Sequence, residues 1–165
     1  MGGDTNRLIT PVATADIDPR LRGLVAYWAA KSAGRCCPAR ADLDPLDLKP
    51  LLGFLLMVDV VRPEKEKSGG GDAYRLRYRL FGTEFVFYHG RDLTGRWLDE
   101  IANTVFRDEL LGFYRVVIAE KTMQALSYDY MLERGRQRFQ AVLLPLSKDA
   151  GRIDIVLGCG VPVDT

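Results

Sequence analysis

His89 is the only histidine among 165 residues, and it lies in the phrase FVFYHGRD. A lone imidazole can exchange hydrogen bonds near neutral pH or touch a ligand. By itself it cannot hold a metal, and a catalytic triad would need a nucleophile that no GxSxG phrase supplies. The weightier reading is structural: a residue before Gly90 at the negative end of a short helix. The next phrase, GRDLTGR from Gly90 to Arg96, has two glycines and two arginines. It matches neither GxxxxGK(S/T) nor GxGxxG, so a phosphate loop lacks support. We read it as a turn in which Asp92 accepts from nearby backbone amides. An acid–base enzyme would draw on His89, Asp92 and Glu100, but no spacing rule brings these three together.

Arg75, Arg77 and Arg79 alternate with Tyr74, Leu76, Tyr78 and Leu80 in YRLRYRL, so three cations share one face of a strand. Such a strip is most simply a solvated face that discourages edge pairing; an acidic partner is the next reading. A nucleic-acid surface would want aromatic residues interleaved among the arginines, and the tyrosines fall on the other face. The net charge of +1 adds no global field toward nucleic acid or membrane. Cys36, Cys37 and Cys159 fit neither a disulfide framework nor a zinc site. With no signal-peptide stretch at the N-terminus, and with the run Leu51–Val61 too short to span a bilayer, the sequence predicts a cytoplasmic chain.

Aromatic residues carry more information. Phe85, Phe87, Tyr88, Trp97, Tyr114, Tyr128, Tyr130 and Phe139 should converge if the elements around them form one layer on a sheet. Core packing alone would justify each, at about 1.5–3 kcal/mol per large buried side chain. Phenol and indole tips need polar partners once buried, a combination that suits a small-molecule cavity. Tyr88, His89, Trp97, Tyr114 and Tyr128 are the candidate ligand contacts.

The elements that would position them follow from punctuation and period. Residues 1–17 read as a loose or strand-like arm. Asp18 caps a helix with Pro19 in its first turn, the stripe Leu21, Leu24, Val25 and Trp28 recurs at helical spacing, and Gly34 ends it. That stripe serves either a partner subunit or the chain's own sheet. Asp44 and Pro45 begin a shorter helix to Leu52, and FLLMVDVVR is a mostly buried strand. Residues 63–72, polar and glycine-rich, read as a long hairpin loop. YRLRYRL is the second strand, and 83–101 holds short helices and turns. A longer helix runs from Thr104 to Lys121 with Phe106, Leu110, Phe113 and Val117 on its apolar row. Met123–Glu133, Arg138–Leu146 and Arg152–Val161 are three strands of an antiparallel meander. With 47% hydrophobic and 27% charged residues, the composition is that of a globular chain. The predicted class is α+β: one five-stranded antiparallel sheet with the mid-chain helices on one face and an extra N-terminal helix, residues 18–165 forming a single domain.

That order of elements resembles the PAS fold. Trp28 followed by PARADLDP (38–45), YRLFGT (78–83) and GRDLTGR (90–96) resembles a family of stand-alone PAS-like proteins found mostly in alphaproteobacteria. The resemblance implies a regulatory sensor that binds a small molecule or a protein, works as a homodimer and signals to a separate output protein in trans. Flavin photosensors of this fold carry a reactive cysteine in a GRNCRF-like phrase; here Asp92 and Leu93 stand there, which argues against that photochemistry. Haem-binding members present a histidine from the long helix, and none occurs in 104–121. The resemblance leaves the ligand open, and a ligand-free adaptor remains an alternative.

Overall fold

The computed structural model describes residues 7–63, 73–149 and 151–164. Met1–Asn6 of the expected arm, and all but Pro63 of the expected 63–72 loop, lie outside them. Ile9–Pro11 forms β1, a short strand paired antiparallel with residues 126–128. The arm therefore resolves as a strand, and the sheet has six strands where the sequence predicts five. Ile9 is almost fully buried, and its backbone N–H and that of Leu8 donate to the Glu109 carboxylate. A three-residue strand with one inward apolar side chain carries too little period to be legible in a sequence.

α1 spans Pro19–Ser32, with the Asp18 carboxylate accepting from the Arg20 amide as predicted for its cap. The predicted Asp44–Leu52 helix is instead a run of tight turns ending in a 3-10 helix, Lys49–Phe54. β2 (Leu55–Val61) and β3 (Arg75–Phe81) follow, then α2 (Thr83–His89) and α3 (Thr104–Glu120). β4 (Gln124–Leu132), β5 (Gly135–Leu146) and β6 (Ile155–Val163) close the chain. The sheet order is β1-β4-β5-β6-β2-β3, so early and late strands are joined where β2 pairs with β6. Among the described residues no helix is long and apolar enough to cross a membrane.

The two faces of the sheet are covered differently. Ile17, Leu21 and Leu24 pack against Val142, Leu144, Leu157 and Val161, so α1 lies on one face. α2 and α3 cover the other, where Phe85, Leu110, Tyr114 and Val117 meet Val58, Phe139 and Leu143. Leu21 and Leu24 are thus consumed by the chain's own sheet, and the Trp28 indole N–H donates to the Pro145 carbonyl at 2.9 Å. Val25 is half-buried at the same interface. Of the two readings of this stripe, the described residues show the intramolecular packing.

β3 departs from strict alternation for a local reason. The register between β2 and β3 slips between Met57 and Val58, leaving Arg79 as an extra residue. Leu76 and Tyr78 point inward, but beyond the bulge Phe81 takes the buried place and Leu80 is 39% exposed. The outer edge of β3 is covered by GRDLTGR: the Gly95 amide donates to Tyr78 O, and the Tyr78 amide donates to Arg96 O. Asp92 accepts from the Thr94 amide and hydroxyl, the turn predicted for it.

Candidate functional site

Two glycines of β6 make room on the helix-covered face, one for a ring and one for a cavity. In β6, Gly158 and Gly160 fall on the face toward α2 and α3, while Leu157, Cys159 and Val161 face α1. Glycine weakens a strand interior, so two on one face of a central strand need a spatial reason. At Gly160 the reason is contact: a Cβ there would come within 2.8 Å of the Phe85 ring. At Gly158 an added Cβ would meet only ordinary contacts with Leu56 and Leu143. A cavity of about 900 Å3 lies between the helices and the sheet, and Gly158 is on its floor. That volume falls in the range of small-molecule sites.

Aromatic rings form a connected part of the walls. Tyr78, Phe81, Phe85, Phe106, Tyr128 and Tyr130 all line the cavity, and edge-to-face or tilted contacts join Tyr78 to Phe81, Phe81 to Phe85, and Phe106 to Tyr128. Of the sequence-predicted contacts, His89, Trp97, Tyr114 and Tyr128 line it. Tyr88 does not: its ring stands edge-on to Phe139 at 4.8 Å, completing the core. Phe87, expected to converge with the others, is 67% exposed because a two-turn helix can bury only one face. Tyr78 and Tyr130 line the cavity beside these candidates, and the inward Gly158 of GCGV is the sequence signal that points to it.

The buried polar side chains of the lining are phenols, whereas its charged groups are exposed or half-buried. Tyr78 and Tyr114 are 5% and 1% exposed, and neither hydroxyl has a hydrogen-bond partner among the described residues. Burial drives both phenols above their usual range, and the neighbouring Tyr78 and Tyr128 oxygens raise Tyr114 further. Both therefore stay protonated donors. A hydroxyl already satisfied by the protein costs about 1 kcal/mol to delete. Tyr114→Phe is expected to leave the thermal midpoint unchanged or raise it; a loss above about 1 kcal/mol would assign the hydroxyl a structural partner.

His89 is the last residue of α2, on the cavity side, with its ring 5.3 Å from Phe81 and its Nε2 hydrogen-bonded to the Tyr130 hydroxyl. Desolvation, then the nearby Arg91 charge, lowers the imidazole to about 4. The ring keeps an exposed edge at the cavity mouth, where water moderates the shift without reversing it. Neutral imidazole accepts the Tyr130 proton; imidazolium cannot. An unfolded histidine protonates near 6.5, so between 6.5 and 4 the unfolded chain binds the extra proton and stability falls as pH falls. The carboxyls of Asp18, Asp42, Asp92, Asp99 and Asp149 are lowered below 3.8 by their hydrogen bonds and lose their contribution only below this window. Thermal midpoints are expected to drop from pH 7 to pH 5 in the native chain and to flatten in His89→Gln. An equal drop in both would assign it elsewhere.

The arginine strip is largely engaged within the chain. Arg75 makes a bidentate pair with Asp99 at 2.8 Å and lies 4.0 Å over the Trp97 ring, Arg77 stacks on the same indole at 5.2 Å, and Arg79 pairs with Asp59. These contacts hold Trp97 at the cavity wall. Asp92 is committed to its turn, and Glu100 lies 3.6 Å from Arg75, so the acid–base trio does not converge as a catalytic group. Among the described residues no cluster of three metal-ligating side chains exists. A second cleft, about 770 Å3, opens near Arg115, Lys121 and Arg152 and holds none of the cavity's phenylalanines.

A family model described as PAS domain matches residues 17–161. No curated protein sequence matches the chain. Among solved structures, an RNA-binding light-oxygen-voltage receptor superposes with a TM-score of 0.50 at 15% identity; the match covers 94% of this chain and 38% of that one. The PAS domain of Bordetella pertussis BvgS gives a TM-score of 0.43 at 16% identity, covering 74% and 88% of the two chains. A PAS domain of an HTR-like protein from Haloarcula marismortui gives 0.39 at 15%, covering 72% and 91%. At these identities the likeness concerns fold alone.

Proposed function

The chain belongs to the PAS-domain family, and from that premise we propose that it is a sensory module whose signal is a small molecule held between α2, α3 and the sheet. The observation that carries this reading is the cavity of about 900 Å3 lined by the buried side chains of Tyr78 and Tyr114, whose hydroxyls are available to a ligand. A packed core would satisfy such groups or replace them with phenylalanine. Occupancy would bias the helix layer, because Tyr114 is on α3 and Phe85 and His89 are on α2.

The readout would pass to a separate protein in trans, with the chain acting in the cytoplasm as a homodimer. Phe87 and Met131, 67% and 76% exposed, are apolar surface available for such contacts. The test is native mass spectrometry and light scattering on protein purified without denaturation. The expected result is a non-covalent adduct released by unfolding, in a species of twice the chain mass. A monomer with no adduct, and with a melting curve unmoved by cell extract, would overturn the reading.

A further inference from the structure

Charge at the mouth of this cavity is uneven. Four ionic side chains besides Arg7 and His89 stand along the rim or the upper wall beside Arg136: Arg91, Arg96, Glu100 and Asp129. The two acids are already engaged, Glu100 near Arg75 and Asp129 with Arg138 at 3.0 Å and Arg136 at 3.7 Å. Arg91 and Arg96 make no side-chain hydrogen bond or ion pair among the described residues. The Arg96 backbone is held, since Gly95–Trp97 pairs with β3 and the Arg96 amide donates to Leu93 O. Arg91 directly follows Gly90, whose amide donates to Val86 O at the end of α2, and both guanidinium groups are left uncommitted at their tips. Below them the walls are phenylalanine and tyrosine rings, and the deepest polar atoms are neutral phenol donors.

Resting on the ligand-binding reading above, we infer that the ligand is a compact apolar anion, its carboxylate held by Arg91 and Arg96 at the rim and its ring-bearing body among Phe81, Phe85 and Phe106. The rim supplies planar, always-charged donors suited to a carboxylate, and the exposed position spares that head from full desolvation. The interior supplies ring faces and no charge, so a body with a second charge is excluded by desolvation. A cationic head would meet two like charges and no free acid.

Calorimetric titration of the intact chain with 3-phenylpropanoate, 3-phenylpropan-1-ol and 3-phenylpropan-1-amine tests this. The carboxylate is expected to bind at least about tenfold more tightly than the alcohol, with the amine weakest. Arg91→Ala with Arg96→Ala should erase that advantage and leave alcohol affinity unchanged; both residues are exposed, and a melting curve confirms the fold. Equal binding of carboxylate and alcohol, or an equal loss of both in the double variant, overturns the anion inference while the cavity reading stands. If none of the three binds the folded chain, the ligand-binding reading falls with it.

Discussion

Gly82→Ala is expected to cost about 3 kcal/mol of stability, a fall of roughly 6–12 °C in the thermal midpoint for a chain of this size. Gly82 joins β3 to α2, and its amide donates to Leu55 O at 2.9 Å. A Cβ there would lie 2.4 Å from the Gly53 carbonyl oxygen and 2.7 Å from that of Leu55. Both obstacles are backbone, so no rotamer change relieves them, and the α2 end of the helix layer must lift off β2. The φ of Gly82, −58°, suits any residue, so the effect is steric alone. Gly23→Ala is the control: it stands on α1 with nothing within 4 Å of an added Cβ, and should gain up to about 1 kcal/mol. If Gly82→Ala melts with the native chain, the close crossing of β2 and α2 is not as described.

Gly158→Val should do the reverse, keeping the fold and removing the function. Its Cβ fits beside Leu56 and Leu143 at 3.4–3.6 Å, and the added methyl groups project over the cavity floor. Valine is also the better strand residue, by up to about 1 kcal/mol. The expected result is an undiminished melting temperature with affinity for 3-phenylpropanoate reduced at least about tenfold, read by calorimetry. Unchanged affinity would place the ligand elsewhere.

Much of the fold was legible because the helices announce themselves by caps and stripes. Asp18–Pro19 with Leu21 and Leu24 gave α1, and the period-two run ending at Leu80 gave β3 up to the bulge. The bulge itself was not legible, since an extra residue shows only in the pairing of two strands. For β1 the arm reads as loose or strand-like, because three residues acquire their meaning only from β4 and from Glu109 on α3. At the site, Trp97, Tyr114 and Tyr128 were recoverable from residue type once the PAS-like order of elements was recognised. Tyr88 stands outside the cavity lining because neighbouring residues on a short helix point in different directions, and its ring packs beside Phe139. The pocket's floor was the deeper omission. It is written as a missing side chain, Gly158, and absence on one face of a strand appears only after the strand's orientation is known.

The chain's seven tyrosines provide the most direct test of the cavity as a ligand site. Tyr78, Tyr114, Tyr128 and Tyr130 line it, whereas Tyr27, Tyr74 and Tyr88 do not. With 3-fluorotyrosine incorporated, fluorine NMR during titration with 3-phenylpropanoate should shift the first four resonances and leave the other three in place. Shifts confined to Tyr27, Tyr74 or Tyr88, or no shift at saturating probe, would contradict a ligand seated between the helices and the sheet.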